Sequence, residues 1–224
     1  MARSARIVVP NYPFHITQRG NYRQKIFDDQ EDRLTYPTWI NEYSNKYDLI
    51  LLAYCLMDNH VHFVAIPGQE NSLSKVFSVA HMRYSQYYNK KKATAGHLWQ
   101  GRFYSCLLDE MHLMAAMRYV EKNPVRASLV KKAWDWKWSS AAFHTGRSTD
   151  IIGLGDIEEI VGLGVDGWEE YLEGDEIKKE VEKIRMNTML GRPIGSSRFM
   201  AELEKTVGSV IRSFPRGRPR KRIE

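Results

Sequence analysis

Cysteine is scarce: the 224 residues hold two, Cys55 and Cys106. Each lies inside an apolar, strand-like segment. Together they supply neither a disulfide framework nor a zinc cluster, and they read as buried thiols in a reducing compartment. Long apolar runs are missing as well. The longest, Leu49–Met57, has nine residues and includes Tyr54, far short of the ~20 that a membrane span requires. The first ten residues carry Arg3 and Arg6 but only Ile7–Val9 as an apolar stretch, so no secretory signal is visible. There is no internal repeat. The expectation is a cytoplasmic, nucleoid-associated protein without membrane contact.

A large charge of one sign is also lacking, since 33 Lys and Arg against 27 Asp and Glu leave only +6. Its distribution is more informative. Residues 1–148 carry 20 basic and 12 acidic side chains, residues 149–191 carry 4 and 12, and residues 192–224 carry 9 and 3. Two basic regions flank an acidic one. Arg212, Arg216, Arg218, Arg220, Lys221 and Arg222 crowd the end of the chain, the composition of a polyanion-seeking tail. With 43% hydrophobic and 12% aromatic residues, the remainder is globular and able to bury a core.

Periodicity predicts the elements. Phe14–Arg19 alternates as a strand, with His15, Thr17 and Arg19 on the side opposite Phe14, Ile16 and Gln18. Asp28 or Asp29 caps a helix reaching about Lys46, with Leu34, Trp39, Ile40 and Tyr43 buried and a kink or division at Pro37. Leu49–Met57 reads as a strand covered on both faces. Asp58-Asn59 turns the chain into a return strand, His60–Ile66. Leu73–Lys92 has helical spacing, Arg102–Leu108 reads as a fourth strand, and Asp109 caps a helix from Glu110 towards Lys122 that Pro124 stops. The first six elements follow the βαββαβ order of a ferredoxin-like α+β fold, an antiparallel sheet with helices on one face. An extra helix and a C-terminal helical extension follow. Expected boundaries are a catalytic domain over 1–146, a helical extension over 147–211 and a flexible basic tail over 212–224. Within the extension, helices are expected at Asp156–Val161, Trp168–Leu172, Glu176–Arg185 and Ser197–Ile211. Gly191-Arg192-Pro193 would form the turn of a helix-turn-helix.

Two groups of residues carry chemistry. On a strand His60 and His62 point to one face while Val61 and Phe63 point to the other. Converging imidazoles hold divalent metals, although a pair of histidines on a solvated strand face looks the same in sequence. Tyr119 and Asn123 lie four apart near the end of a helix and project from one side. A phenol is a poor nucleophile until it or its target is activated, which a metal beside a phosphodiester would do. The plain alternatives are a core tyrosine and a helix stop before Pro124.

Thr17-Gln18-Arg19-Gly20-Asn21, Met57-Asp58-Asn59-His60-Val61-His62, Leu98-Trp99-Gln100-Gly101-Arg102-Phe103 and Arg118–Ala127 together resemble the single-tyrosine HUH transposases. The bacterial REP-associated tyrosine transposases are the branch they resemble most. The resemblance covers about Ala2 to His144. It implies that His60 and His62 ligate Mg²⁺ or Mn²⁺ with Asn123 as a third ligand. It implies that Tyr119 attacks single-stranded DNA, leaving a 5′-phosphotyrosine and a free 3′ hydroxyl. Ser128 stands where relatives often carry Gly, a departure not expected to touch the chemistry. The acidic residues of 1–148 form no visible triad of the kind that three-carboxylate transposases need for two metals.

Arg19, Arg23, Arg83, Arg102 and Arg126 are candidate phosphate contacts, with Asn21 beside the first of them; ordinary solvated surface is the alternative. Trp99 and Tyr104 either stack unpaired bases or pack in the core. Pro215-Arg216-Gly217-Arg218-Pro219, followed by Arg220, matches an AT-hook core suited to the minor groove of AT-rich duplex DNA, or serves as a nonspecific basic tail. The acidic segment is expected to pack against or shield the basic body. Three functions compete: a metal-dependent endonuclease and strand-transferase on single-stranded or hairpin DNA, a non-enzymatic DNA-binding regulator, and a phosphoesterase using water as nucleophile. The first leaves open a monomer or a homodimer, depending on whether Tyr119 works beside histidines of its own chain.

Overall fold

The computed structural model describes residues 7–149, 151–208 and 211. Four strands, β1 (Phe14–Arg19), β2 (Leu49–Met57), β3 (His60–Pro67) and β4 (Tyr104–Leu107), form one sheet in the order β2-β3-β1-β4. All of its pairings are antiparallel. This is the ferredoxin-like order expected from βαββαβ. Helices α1 (Gln30–Lys46) and α2 (Ser72–Lys92) make the two crossovers and cover the same face. Phe14, Ile16, Phe63, Tyr36, Phe77 and Tyr84 are fully buried there.

Helix α1 starts where Asp29 accepts a hydrogen bond from the Asp32 amide, a cap that contributes about 1 kcal/mol. The helix is not divided at Pro37, whose ring is buried, with Tyr36 and Ile40 anchoring it on either side. Leu34 is exposed rather than buried. The buried stripe takes Asp32 instead, because its carboxylate accepts from Lys91 Nζ and the Tyr87 hydroxyl and so ties α1 to the end of α2.

The second face of the sheet is covered as well. Helices α3 (Glu110–Glu121), α4 (Asn123–Arg126), α5 (Ala141–His144), α6 (Ile157–Val161), α7 (Val165–Glu173), α8 (Lys178–Leu190) and α9 (Ser197–Val207) follow β4. Val64, Leu52 and Cys55 of the sheet pack with Met117 and Val120 of α3, Trp168 of α7 and Ile184 of α8. Helices α6, α7 and α8 therefore complete this layer, and β2 is covered on both faces as its composition predicts. The acidic segment meets the basic body through Arg126–Glu176 at 2.7 Å, Lys132–Glu173 at 3.1 Å and Arg147–Glu169 at 2.7 Å. Leu203 of α9 is buried, with Phe199 and Val207 packed around the first core. Cys55 and Cys106 are free, buried thiols. No described helix is long and apolar enough to cross a membrane. The expected tail, residues 212–224 with Arg216, Arg218 and Arg220, lies outside the described residues.

Candidate active site

Three of the four sequence motifs meet at one corner of the sheet. The Gly20 amide donates to the Asn59 carbonyl (2.9 Å), the Asn21 amide to the Leu98 carbonyl (2.7 Å) and the Gln100 amide to the Arg19 carbonyl (2.9 Å). The Gln18 side-chain amide donates to the Gly101 carbonyl at 2.7 Å. Gly20 is required here: a Cβ would collide with the Gln24 carbonyl oxygen and come within 2.8 Å of Ile26 Cγ2. The fourth motif arrives on α3, whose start is fixed by the Asp109 carboxylate accepting from the His112 amide at 3.0 Å.

In the β1–β3 pairing Thr17 lies opposite His62 and Arg19 opposite His60. Strand alternation sends these side chains away from Phe14, Ile16, Val61 and Phe63. His15 belongs to the same row. Leu113, Ala116, Met117 and Val120 seat α3 on the sheet and bring the Tyr119 ring 5.6 Å from His62 and 5.4 Å from His15, centre to centre, nearly perpendicular to both. Asn123 donates its side-chain N–H groups to the carbonyls of Tyr119 (3.3 Å) and Val120 (3.2 Å), which leaves the amide oxygen as its lone-pair donor. The Arg126 guanidinium lies 4.3 Å from the centre of the Tyr119 ring. These groups line a cavity of about 480 Å³, walled on one side by Val181, Arg185, Thr188 and Met189 of α8.

His60 Nδ1 lies 2.6 Å from Asn59 Oδ1 and His62 Nδ1 lies 2.9 Å from His15 Nε2. Both Nδ1 atoms are therefore taken, and both Nε2 atoms remain as donors. Metal-binding histidines have this arrangement, one ring nitrogen held by a neighbour and the other offered to the ion. Burial pushes His60 down to about 4, with Arg19 adding to the effect, and His15 down to about 3. Burial also holds His62 well below the ordinary value, reinforced by His60 and His15. All three are neutral at pH 7, the state that metal ligation demands. Among the described residues no group of three His, Cys, Asp or Glu converges as a metal cage. An ion here would take two imidazoles and an amide oxygen. Burial raises the Tyr119 phenol, while Arg126, Arg185 and Arg19 oppose that rise. The resting side chain is the protonated phenol.

Of the residues expected from sequence, the cavity gathers Arg19, Arg23, His60, His62, Tyr119, Asn123 and Arg126. Others lie elsewhere. Asn21 acts through its backbone in the corner just described. Arg83 is exposed on α2, over the Tyr43 ring. Trp99 and Arg102 line a separate cavity of about 430 Å³. Of the two readings of Trp99, core packing is the one observed. It is buried, its Nε1 donates to the His81 carbonyl at 3.0 Å, and its ring lies 4.5 Å from that of His81. His15, Arg185 and Thr188 are members of the site that sequence reasoning missed. His15 was accessible in principle, two residues before Thr17 on the same strand face. Ser128, the departure from the resembled pattern, has a φ of 57°, the left-handed region that Gly enters without steric cost.

Comparison with known proteins decides the family. The family model described as "Transposase IS200 like" matches residues 8–123, just over half of the chain. The chain belongs to the IS200-like transposase family. The match ends at Asn123 and so takes in His60, His62 and Tyr119. The fold is similar to that of a REP-associated tyrosine transposase solved bound to a REP hairpin, with a TM-score of 0.53 and 19% identity over 70% of this chain and 93% of that one. A putative transposase from Deinococcus radiodurans R1 is also similar, at 17% identity and a TM-score of 0.37 over 54% of this chain and 97% of that one. No curated protein sequence matches. For a transposase of this family, the extension beyond Asn123 contributes Arg126, Arg185 and Thr188 to the cavity.

Proposed function

We propose that this protein is a divalent-metal-dependent endonuclease and strand-transferase acting on single-stranded, hairpin-containing DNA, with Tyr119 as the nucleophile. The observation that carries this reading is the position of the Tyr119 ring beside His62 and His15 of its own chain, at 5.6 and 5.4 Å, in a cavity edged by four arginines. His60 Nε2, His62 Nε2 and the Asn123 side-chain oxygen are the atoms that would hold Mg²⁺ or Mn²⁺. When bound, the ion supplies a Lewis acid that polarises the scissile phosphate and stabilises the departing oxygen.

The residues of the chain do the rest. Arg19, Arg23, Arg126 and Arg185 attract the DNA backbone and hold one phosphodiester against the phenol. Tyr119 Oη bonds to phosphorus and loses its proton to solvent as the P–O3′ bond breaks. The 3′ oxygen leaves and takes up a proton, giving a 3′ hydroxyl and a 5′-phosphotyrosine. The link keeps the phosphodiester energy, so a 3′ hydroxyl of another strand reverses the step without ATP. Tyr119 and the histidines belong to one chain, which supports a set of reacting groups complete in a monomer. Hairpin DNA as substrate is supported by the likeness to the structure bound to a REP hairpin. The tail with Arg216, Arg218 and Arg220 provides a second, duplex-directed grip on AT-rich DNA.

The test is incubation with Mn²⁺ or Mg²⁺ and end-labelled single strands containing hairpins from the host genome. A denaturant-stable adduct that disappears in Tyr119→Phe is expected. An adduct undiminished in Tyr119→Phe overturns the assignment. Cleavage without an adduct points to water as the nucleophile, and tight duplex binding without cleavage points to a regulator.

A further inference from the structure

His62 does not end the row of hydrogen-bonding groups behind the cavity. His15 Nε2 lies 2.9 Å from His62 Nδ1, and His15 Nδ1 lies 2.7 Å from the Thr188 hydroxyl of α8. The same hydroxyl lies 2.7 Å from the Ile184 carbonyl one turn earlier. His15, His62, Thr188 and Ile184 are all buried.

The direction of this chain is forced by its end. A carbonyl oxygen only accepts, so the single Thr188 proton goes to Ile184. The Thr188 oxygen must then accept from His15, which puts the His15 proton on Nδ1. His15 Nε2 is left as a lone pair and accepts from His62, so the His62 proton sits on Nδ1. The lone pair of His62 is thereby fixed on Nε2. Reversing any one link reverses all those beyond it and places a proton on His62 Nε2, where no ion can bind.

We infer that His15 and Thr188 are positioning residues that set the tautomer of His62, so that the metal-binding competence of the sheet is specified from helix α8. The inference rests on the metal reading above for its functional meaning, but the tautomer itself does not depend on it. Its consequence is that the extension, beyond the stretch shared with the family model, forms part of the metal site.

The test uses the full-length, metal-free protein labelled with ¹⁵N at histidine. Long-range ¹H–¹⁵N spectra distinguish Nδ1–H from Nε2–H imidazoles, with the seven histidines assigned by single replacements. His62 is expected as the Nδ1–H form in the wild type and in Thr188→Ser. Thr188→Val keeps the side-chain shape but removes the acceptor. His15 then protonates at Nε2 and drives His62 to the Nε2–H form. Mn²⁺ binding, followed by the loss of the free-ion electron paramagnetic resonance signal, should weaken about 10- to 100-fold in Thr188→Val and recover in Thr188→Ser. A wild-type His62 in the Nε2–H form overturns the inference. So does a Thr188→Val variant in which neither tautomer nor Mn²⁺ affinity changes. If the tautomers behave as stated but the wild type binds no Mn²⁺, the relay stands and the metal reading falls.

Discussion

Arg126 holds Tyr119 at two points, with its guanidinium 4.3 Å from the ring centre and Nη2 donating to the Tyr119 backbone carbonyl. Its Nη1 reaches both oxygens of Glu176, at 2.7 and 2.9 Å. One side chain therefore links Tyr119 to the acidic extension. Of the charges that oppose the burial-driven rise in the phenol pKa, Arg126 is the largest. Arg126→Ala should raise that pKa further and slow adduct formation about tenfold or more, since a cation is lost from a partly desolvated site. Arg126→Lys should recover only part of the rate, because an ammonium restores charge without the planar fork. Single-turnover adduct rates measured across pH 6 to 9 check this. Equal rates for the wild type and Arg126→Ala would remove Arg126 from the mechanism.

Arg185 comes from a segment that the charge count marks as acidic, yet it lines the cavity and lowers the Tyr119 pKa. It is exposed and makes no hydrogen bond or ion pair among the described residues. A cation in that position is free to meet a phosphate. Arg185→Ala should weaken single-strand binding and reduce the slope of log affinity against log salt by about 0.7, the value for one phosphate contact. The thermal midpoint should not move. An unchanged salt slope would mean that the DNA does not pass beneath α8.

The elements and the gathering of His60, His62, Tyr119 and Asn123 in one cavity were legible because both rest on local signals. Strand alternation placed His60 and His62 on one face, helical spacing joined Tyr119 to Asn123, and Asp28 or Asp29 and then Asp109 marked helix starts, of which the structure uses Asp29 and Asp109. What was not legible depends on contacts across the fold. Leu34 satisfies the helical period, but Asp32 takes the buried stripe because Lys91, 59 residues away, needs its carboxylate. Arg185 and Thr188 enter the site only because α8 crosses β1 and β4, and no spacing in the chain announces that crossing. The acidity of residues 149–191 pointed correctly to packing against basic partners while concealing the one arginine that faces the cavity.

Buried neutral histidines set a pH dependence. His15 and His81 are pushed down to about 3 and His60 to about 4, all by burial first, against an ordinary value of 6.5. Between pH 6.5 and about 4 the unfolded chain takes up protons that the folded chain refuses, so stability is full above 6.5 and declines as pH falls through that window. Urea midpoints should therefore be lower at pH 5 than at pH 7.5. His81→Gln, remote from the cavity, should flatten the decline. A midpoint independent of pH between 7.5 and 5 would contradict the burial of these rings.

Glu121 closes α3 two residues before Asn123, and its fully buried carboxylate accepts from the Ser140 hydroxyl, from His144 Nδ1 at 2.6 Å and from Trp168 Nε1 at 2.9 Å. Helices α5, with Ser140 at its start, and α7 thus converge on one side chain of α3 two residues after Tyr119. Trp168→Phe keeps one aromatic ring but removes the N–H donor and part of a fully buried indole, and should cost about 1–3 kcal/mol or more. Glu121→Ala leaves the Ser140, His144 and Trp168 donors without their acceptor and should cost more than Trp168→Phe, about 3 kcal/mol or more. Denaturant midpoints measure both. The consequence for the proposed activity follows from position: Glu121 lies between Tyr119 and Asn123, so loosening this end of α3 moves both side chains together. At a temperature where Trp168→Phe remains folded, adduct formation should fall while DNA affinity, set by arginines on other elements, is retained. If adduct formation stays at the wild-type level while the midpoint drops, the network holds the fold without positioning the phenol.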